Sequence, residues 1–160
     1  MTRPGPTVEA DDLVPSGLTF AEVSLRLSHV YPVETSPWGV RTFRFDILVD
    51  GTVTGTISLR PAVTHLLTHL SGQVGFSVEP GFRGRGLAAK AVRALLPAAR
   101  AHGLDALWFT TTPDNAASRR TLEKLGCALV ESAAVPADYV SHGSGEQVKL
   151  RYRLELLGKV

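Results

Sequence analysis

The chain has 160 residues, of which 44% are hydrophobic and 20% charged, with a net charge of +2. That length fits one domain with a real core and is short for two, and so small a charge argues against a nucleic-acid partner. Its one cysteine, Cys127, excludes an internal disulfide and a thiolate metal cluster.

No apolar run approaches the length of a membrane span, and the start, Met-Thr-Arg-Pro-Gly-Pro, lacks the apolar segment of a signal peptide. The cytoplasm is therefore the default location, with no membrane partner. Residues Met1 to Ser16 are rich in Pro, Gly and acidic residues without periodicity, which predicts a flexible tail over 1–17 and a single domain over 18–160. From Ala21 to Leu27, Val23, Leu25 and Leu27 alternate with polar residues, as in a half-buried strand. Phe43, Phe45, Ile47 and Val49 form a second alternation, and Asp50-Gly51 marks a tight turn into Val53 to Leu59.

Between these strands, Ser28 to Val40 contains Pro32, Pro37 and Gly39 and cannot hold two ordinary helices. Pro61 to Leu70 has no convincing helical pattern. His65 and His69 stand four residues apart in it, a metal-like spacing only on a helix, and no third ligand is evident, so no metal is expected.

Val74 to Val78 is an apolar strand that runs through Glu79-Pro80-Gly81 into Arg83-Gly84-Arg85-Gly86 and then an amphipathic helix, from Gly86 or Leu87 to about His102. Pro97 is expected to kink or divide that helix. A glycine loop opening onto a helix is an anion-binding device, because backbone N–H groups lie uncovered at the positive end of the dipole. Leu107 to Thr111 reads as a short strand. A second helix runs from about Ala116 to Leu125, capped by Asn115 or Asp114 and stopped by Gly126. Val148, Leu150, Tyr152, Leu154 and Leu156 alternate with charged residues in a last strand, itself a candidate for pairing across a homodimer.

Other phosphate sites fit poorly. Gly84, Gly86 and Ala89 satisfy a dinucleotide fingerprint, but the loop is long and the next strand ends in threonines rather than an acid. A P-loop needs Gly-Lys followed by Ser or Thr, and here Leu87 and Ala88 follow Gly86.

At two blocks the sequence resembles the GNAT superfamily of acyl-CoA-dependent N-acyltransferases. Arg83, Gly86 and Ala88 match its pyrophosphate loop, and Pro113-Asp114-Asn115-Ala116-Ala117-Ser118 with Leu122-Glu123-Lys124-Leu125-Gly126 matches its second helix. The resemblance implies a mixed α/β (α+β) sheet with two splayed central strands, helices on both faces, and here a shortened first helical region. It implies acetyl-CoA as acyl donor and a small-molecule or peptide amine as acceptor. The cofactor would be held by backbone at Phe76, Ser77 and Val78, by the loop Arg83, Gly84, Arg85, Gly86, Leu87 and Ala88, and by Asn115 and Ser118. Val78 N–H is the implied oxyanion donor. Arg119, Arg120 and Lys90 are candidates for a further phosphate or for solvated helix charge.

Where many relatives place a proton-donating Tyr, this chain has Leu122, which leaves Ser118 as donor or water-orienter. Glu79 and His69 are the candidate general bases. A catalytically silent acyl-CoA-binding module is the alternative reading. Cys127 reads as a small core residue rather than a nucleophile.

Overall fold

A computed structural model describes residues 14–136 and 148–156. Its elements are β1 (Thr19–Phe20), β2 (Val23–Tyr31), β3 (Thr42–Val49), β4 (Thr52–Leu59), β5 (Val74–Val78), α1 (Leu87–Ala101), β6 (Ala106–Thr111), α2 (Ala116–Lys124), β7 (Ala128–Ala134) and β8 (Val148–Glu155). The tail expected over 1–17 lies mostly outside the described residues, and Leu18 is already buried.

The strands form two antiparallel sheets, β1-β2-β3-β4-β5 and β6-β8-β7, giving the expected mixed α and β architecture. β2 runs further than its alternation suggests, because a bulge between Leu27 and His29 resets the period and puts Val30 on the buried face opposite Phe43. Phe43, Phe45, Ile47 and Val49 are all buried on β3. Asp50 and Gly51 both take positive φ, 49° and 75°, as the two-residue hairpin turn requires. No helix occupies Pro32 to Arg41.

α1 buries Leu87, Ala91, Val92, Leu95 and Ala98 in the core cluster with Phe43, Phe45, Ile57 and Leu59. Pro97 does not divide it. The helix is continuous from Leu87 to Ala101 and Pro97 faces solvent, where the carbonyl left without a donor is open to water. A second correction concerns the segment before β5, where Leu66–Ser71 forms a π-helical turn. Burial of Leu67 and Leu70 outweighs its weak periodicity.

This turn also covers one face of β8. Arg151 there is buried, donates through Nε to Thr68 O (3.0 Å), pairs with Glu131 and stacks 4.4 Å from the Trp108 ring centre. β8 lies between β6 and β7, so it has no free edge to pair across a dimer; the outer strands of that sheet are β6 and β7.

The two sheets meet at Gln73, whose side chain is 0% exposed. Its backbone N–H donates to Trp108 O (2.8 Å), its Oε1 accepts from Trp108 N–H (2.9 Å), and its Nε2 donates to Ala62 O (2.8 Å). Beyond this point β5 and β6, linked through α1, separate, and the space between them is the site.

Among the described residues no helix is long and apolar enough to cross a membrane.

Candidate functional site

β5 has one edge paired with β4 and one edge open. Glu79 N–H donates to Thr54 O (2.8 Å) and Arg60 N–H to Gln73 O (2.7 Å). With the antiparallel register Ser77↔Thr56 and Phe76↔Ile57, this phase turns the backbone groups of Phe76 and Val78 away from β4, toward the gap. Arg83 occupies one of them, donating from Nε to Val78 O at 2.9 Å.

From that edge a groove of about 580 Å³ leads to the start of α1. Gly84 and Gly86 sit at φ 82° and 71°, a left-handed backbone that β-carbons disfavour. Gly86 is the N-cap of α1 and no side chain caps the helix, so its first-turn N–H groups are left for a ligand. Of the residues expected to hold the cofactor, Phe76, Ser77, Val78, Arg83, Gly84, Gly86, Leu87, Ala88, Asn115 and Ser118 all line this groove. Arg85 does not. Its exposed guanidinium lies 6.0 Å from the Phe82 ring centre.

The opposite wall is α2. Asn115 Oδ1 accepts from Ser118 N–H (3.1 Å), capping the helix and fixing the Ser118 backbone in its first turn. Ala117, Arg120, Thr121 and Lys124 share one helical face along the groove. Lys124 Nζ is 3.4 Å from where a β-carbon on Gly86 would be, so it brings a cation to the anion-binding end of α1. Arg119 instead donates to Pro113 O (3.0 Å), and Lys90 pairs with Glu22 at 2.7 Å, a hydrogen bond that holds the Glu22 carboxyl below its ordinary range.

A second cavity of about 210 Å³ opens between β5 and β6 on the far side of Phe76, Asn115 and Ser118, which line both spaces. Its walls are Val74 and Gly75 of β5, Phe109 to Thr112 of β6 and its loop, Leu122 of α2, Arg60 and Lys149. Ser118 thus stands at the junction, and Leu122 fills the wall as a buried hydrocarbon.

Neither base candidate lines either space. Glu79 is exposed at the start of a short 3₁₀ turn. His69 lies on the π-helical turn, hydrogen-bonded to Thr68 Oγ1 (2.7 Å) and stacked on His65 with ring centres 4.2 Å apart. Desolvation, then the nearby Arg151 and His65, push its imidazole below the ordinary value. No group of three His, Cys, Asp or Glu able to hold a metal exists among the described residues. Burial pushes the Cys127 thiol up to about 11, far from thiolate chemistry at neutral pH.

Arg60 and Lys149 belong to no motif, and Lys124 stands in the Glu-Lys-Leu-Gly helix end without having been expected at the cofactor groove. Lys124 is legible in retrospect, four residues after Arg120 on a helix whose groove face passes through Ala117. Arg60 directly follows β4 and Lys149 lies on β8, far apart in sequence, and only tertiary packing brings them to one cavity.

Comparison with known proteins agrees with this geometry. The family described as Acetyltransferase (GNAT) domain matches residues 18–128. No curated protein matches the chain. Among solved structures, it is similar to RimL, a ribosomal L7/L12 alpha-N-protein acetyltransferase, at 17% identity and TM-score 0.56, covering 72% of this chain and 70% of that one. RimJ of Mycobacterium smegmatis, in complex with CoA-disulfide, is 20% identical at TM-score 0.55, with 71% and 53% covered. For yncA of Salmonella typhimurium, solved with its cofactor acetyl-CoA, the figures are 20% identity, TM-score 0.55, and 74% and 67%. The chain thus spans little more than half of RimJ and about two thirds of the others, and these likenesses establish the fold. The family match over 18–128, in keeping with the groove and the glycine loop, shows that the chain belongs to the GNAT acetyltransferase family.

Proposed function

We propose that the chain is an acetyl-CoA-dependent N-acetyltransferase acting on a primary amine in the cytoplasm. The observation that carries this reading is the single path from uncapped helix amides, along the open edge of β5, to the junction at Ser118. The pyrophosphate end of acetyl-CoA matches the α1 terminus with Lys124 and Arg120 beside it. The pantetheine arm matches the edge of β5, where Phe76 and Val78 offer backbone partners as an added strand would. That direction brings the thioester to the gap between the two cavities and leaves the smaller one for the acceptor.

In the reaction, the amine nitrogen bonds to the acetyl carbon and the carbon–sulfur bond breaks. The nitrogen loses a proton and the departing thiolate takes one. Phe76 N–H, turned toward the gap and at the junction, is the candidate for the tetrahedral oxyanion in place of Val78, which lines only the groove, and Ser118 is the candidate proton donor. Among the described residues, neither space is lined by a carboxylate or an imidazole, so the ammonium proton leaves through water. The helix-free segment Pro32 to Arg41 leaves room for the body of a peptide or natural-product acceptor outside the cavity.

Leu122 in the wall and the absence of Glu79 and His69 from both linings favour one other reading, a CoA-binding module without turnover. Thiol release from acetyl-CoA in the presence of primary amines separates the two. Amine-dependent release supports the enzyme, and tight CoA binding without release across amino acids, peptides and polyamines supports the silent module.

A further inference from the structure

β5 and β6 carry no ladder between them. Among the described residues one backbone bond ties the start of β5 to β6, from Gln73 N–H to Trp108 O (2.8 Å). Gln73 turns its two backbone groups opposite ways: the N–H goes to β6, whereas the carbonyl accepts from Arg60 N–H just after β4 (2.7 Å). The adjoining rung is made by a side chain, since Trp108 N–H donates to Gln73 Oε1 (2.9 Å). Nε2 ties the other end of that amide to Ala62 O (2.8 Å), and the side chain is fully buried.

The carbonyls before Gln73 are kept from the β6 backbone in the same way. Leu70 O accepts from Thr110 Oγ1 (2.8 Å), and Ser71 O and Gly72 O accept from Arg60 Nη1 (3.0 and 2.9 Å). Side chains therefore fill the places where the backbone of a continuing sheet would pair, and the strands are not drawn to the ladder spacing of about 4.8 Å. The cavity opens one residue further along each strand, at Val74 and at Phe109. A ladder there would leave no room between the strands for a thioester.

We propose that Gln73 is a positioning residue for acetyl transfer: its side-chain amide stands in for a strand's peptide group, stops pairing between β5 and β6, and so fixes the gap in which the thioester meets Ser118. The inference rests on the acetyl-transfer reading and adds to it the residue that sets the geometry at the junction. Without the amide, Trp108 N–H loses its acceptor, and taking a backbone carbonyl instead draws the strands together. A displacement on the order of 1 Å at the reacting atoms is enough to slow acyl transfer. The groove from Phe76 to Ala89, which suits the rest of the cofactor, lies beyond the change.

The test uses the full chain with acetyl-CoA and the best acceptor among amino acids, peptides and polyamines. Gln73→Met and Gln73→Leu keep an apolar side chain of similar bulk and remove both side-chain hydrogen bonds. Calorimetric titration with CoA counts the folded sites, and turnover is expressed per CoA-binding site, a quantity that a loss of stability alone does not move. We expect it to fall between about tenfold and a hundredfold, with Kd for CoA within about threefold of wild type. Wild-type turnover per site in either variant overturns the inference, as does a fall in CoA affinity as large as the fall in turnover. Loss of CoA binding in both variants assigns Gln73 to the fold alone and overturns it too. In each of these cases acetyl transfer stands. Absence of amine-dependent thiol release by the wild-type chain with every acceptor removes acetyl transfer and this inference together.

Discussion

The groove and the smaller cavity meet at Ser118, yet they are built differently. The groove is made largely by one continuous segment, Phe76 to Ala89, together with one face of α2, and much of its binding capacity is backbone: an open strand edge and the uncapped amides of α1. The cavity is assembled by side chains from separate places, the end of β4, the start of β5, β6, α2 and β8. A backbone device needs glycines at fixed positions and leaves a motif. A side-chain device needs only that a fold bring distant residues together, so one family can keep its donor site and vary its acceptor site.

The contrast is most severely tested where the two regions share a support. Gln73 joins the sheets, and Gln73→Ala strands Trp108 N–H and Ala62 O in a buried place, so we expect a loss of about 3 kcal/mol in unfolding free energy. Chemical denaturation measures it; a loss well under 1 kcal/mol would mean that the sheets are held together elsewhere. Next in size is Gly86→Val, which forces a branched side chain into a left-handed backbone at the groove. CoA affinity should fall by about a hundredfold in calorimetry while the fold is retained, and unchanged affinity would remove the phosphate assignment.

Ser118→Ala sharpens the boundary between the regions. Turnover should fall by about tenfold with CoA affinity nearly unchanged, because only a transition-state role separates the two quantities. The smallest effect lies outside both regions. Since the folded His69 imidazole is held below its ordinary value, its contribution to stability is complete above the imidazole range and is lost as pH falls through it. Wild-type Tm should therefore drop more than that of His69→Gln between about pH 8 and pH 5, and parallel curves would show that the histidine titrates normally.

Much of the groove was legible because its determinants are local. Gly84 and Gly86 announce the loop, and Asn115 three residues before Ser118 announces the helix cap. Arg85 falls outside the groove lining, and an arginine in a glycine loop carries no sign of which way it faces: Arg83 turns back to Val78 and Arg85 lies over Phe82. Tertiary burial explains the other departures. Leu67 and Leu70 pull a weakly periodic segment into a π-helical turn, and the bulge at Ser28 breaks the alternation of β2. The long reach from Arg60 to Lys149 had no local trace at all.

Whether the cofactor lies along the open edge of β5 with its phosphates at the start of α1 is decided by hydrogen–deuterium exchange with and without CoA. Exchange should slow on CoA binding at the Phe76 and Val78 amides and at Gly84 through Ala89, with the Glu79 amide, already bonded to Thr54, little changed. CoA binding that leaves Phe76, Val78 and the first turn of α1 unprotected would contradict it.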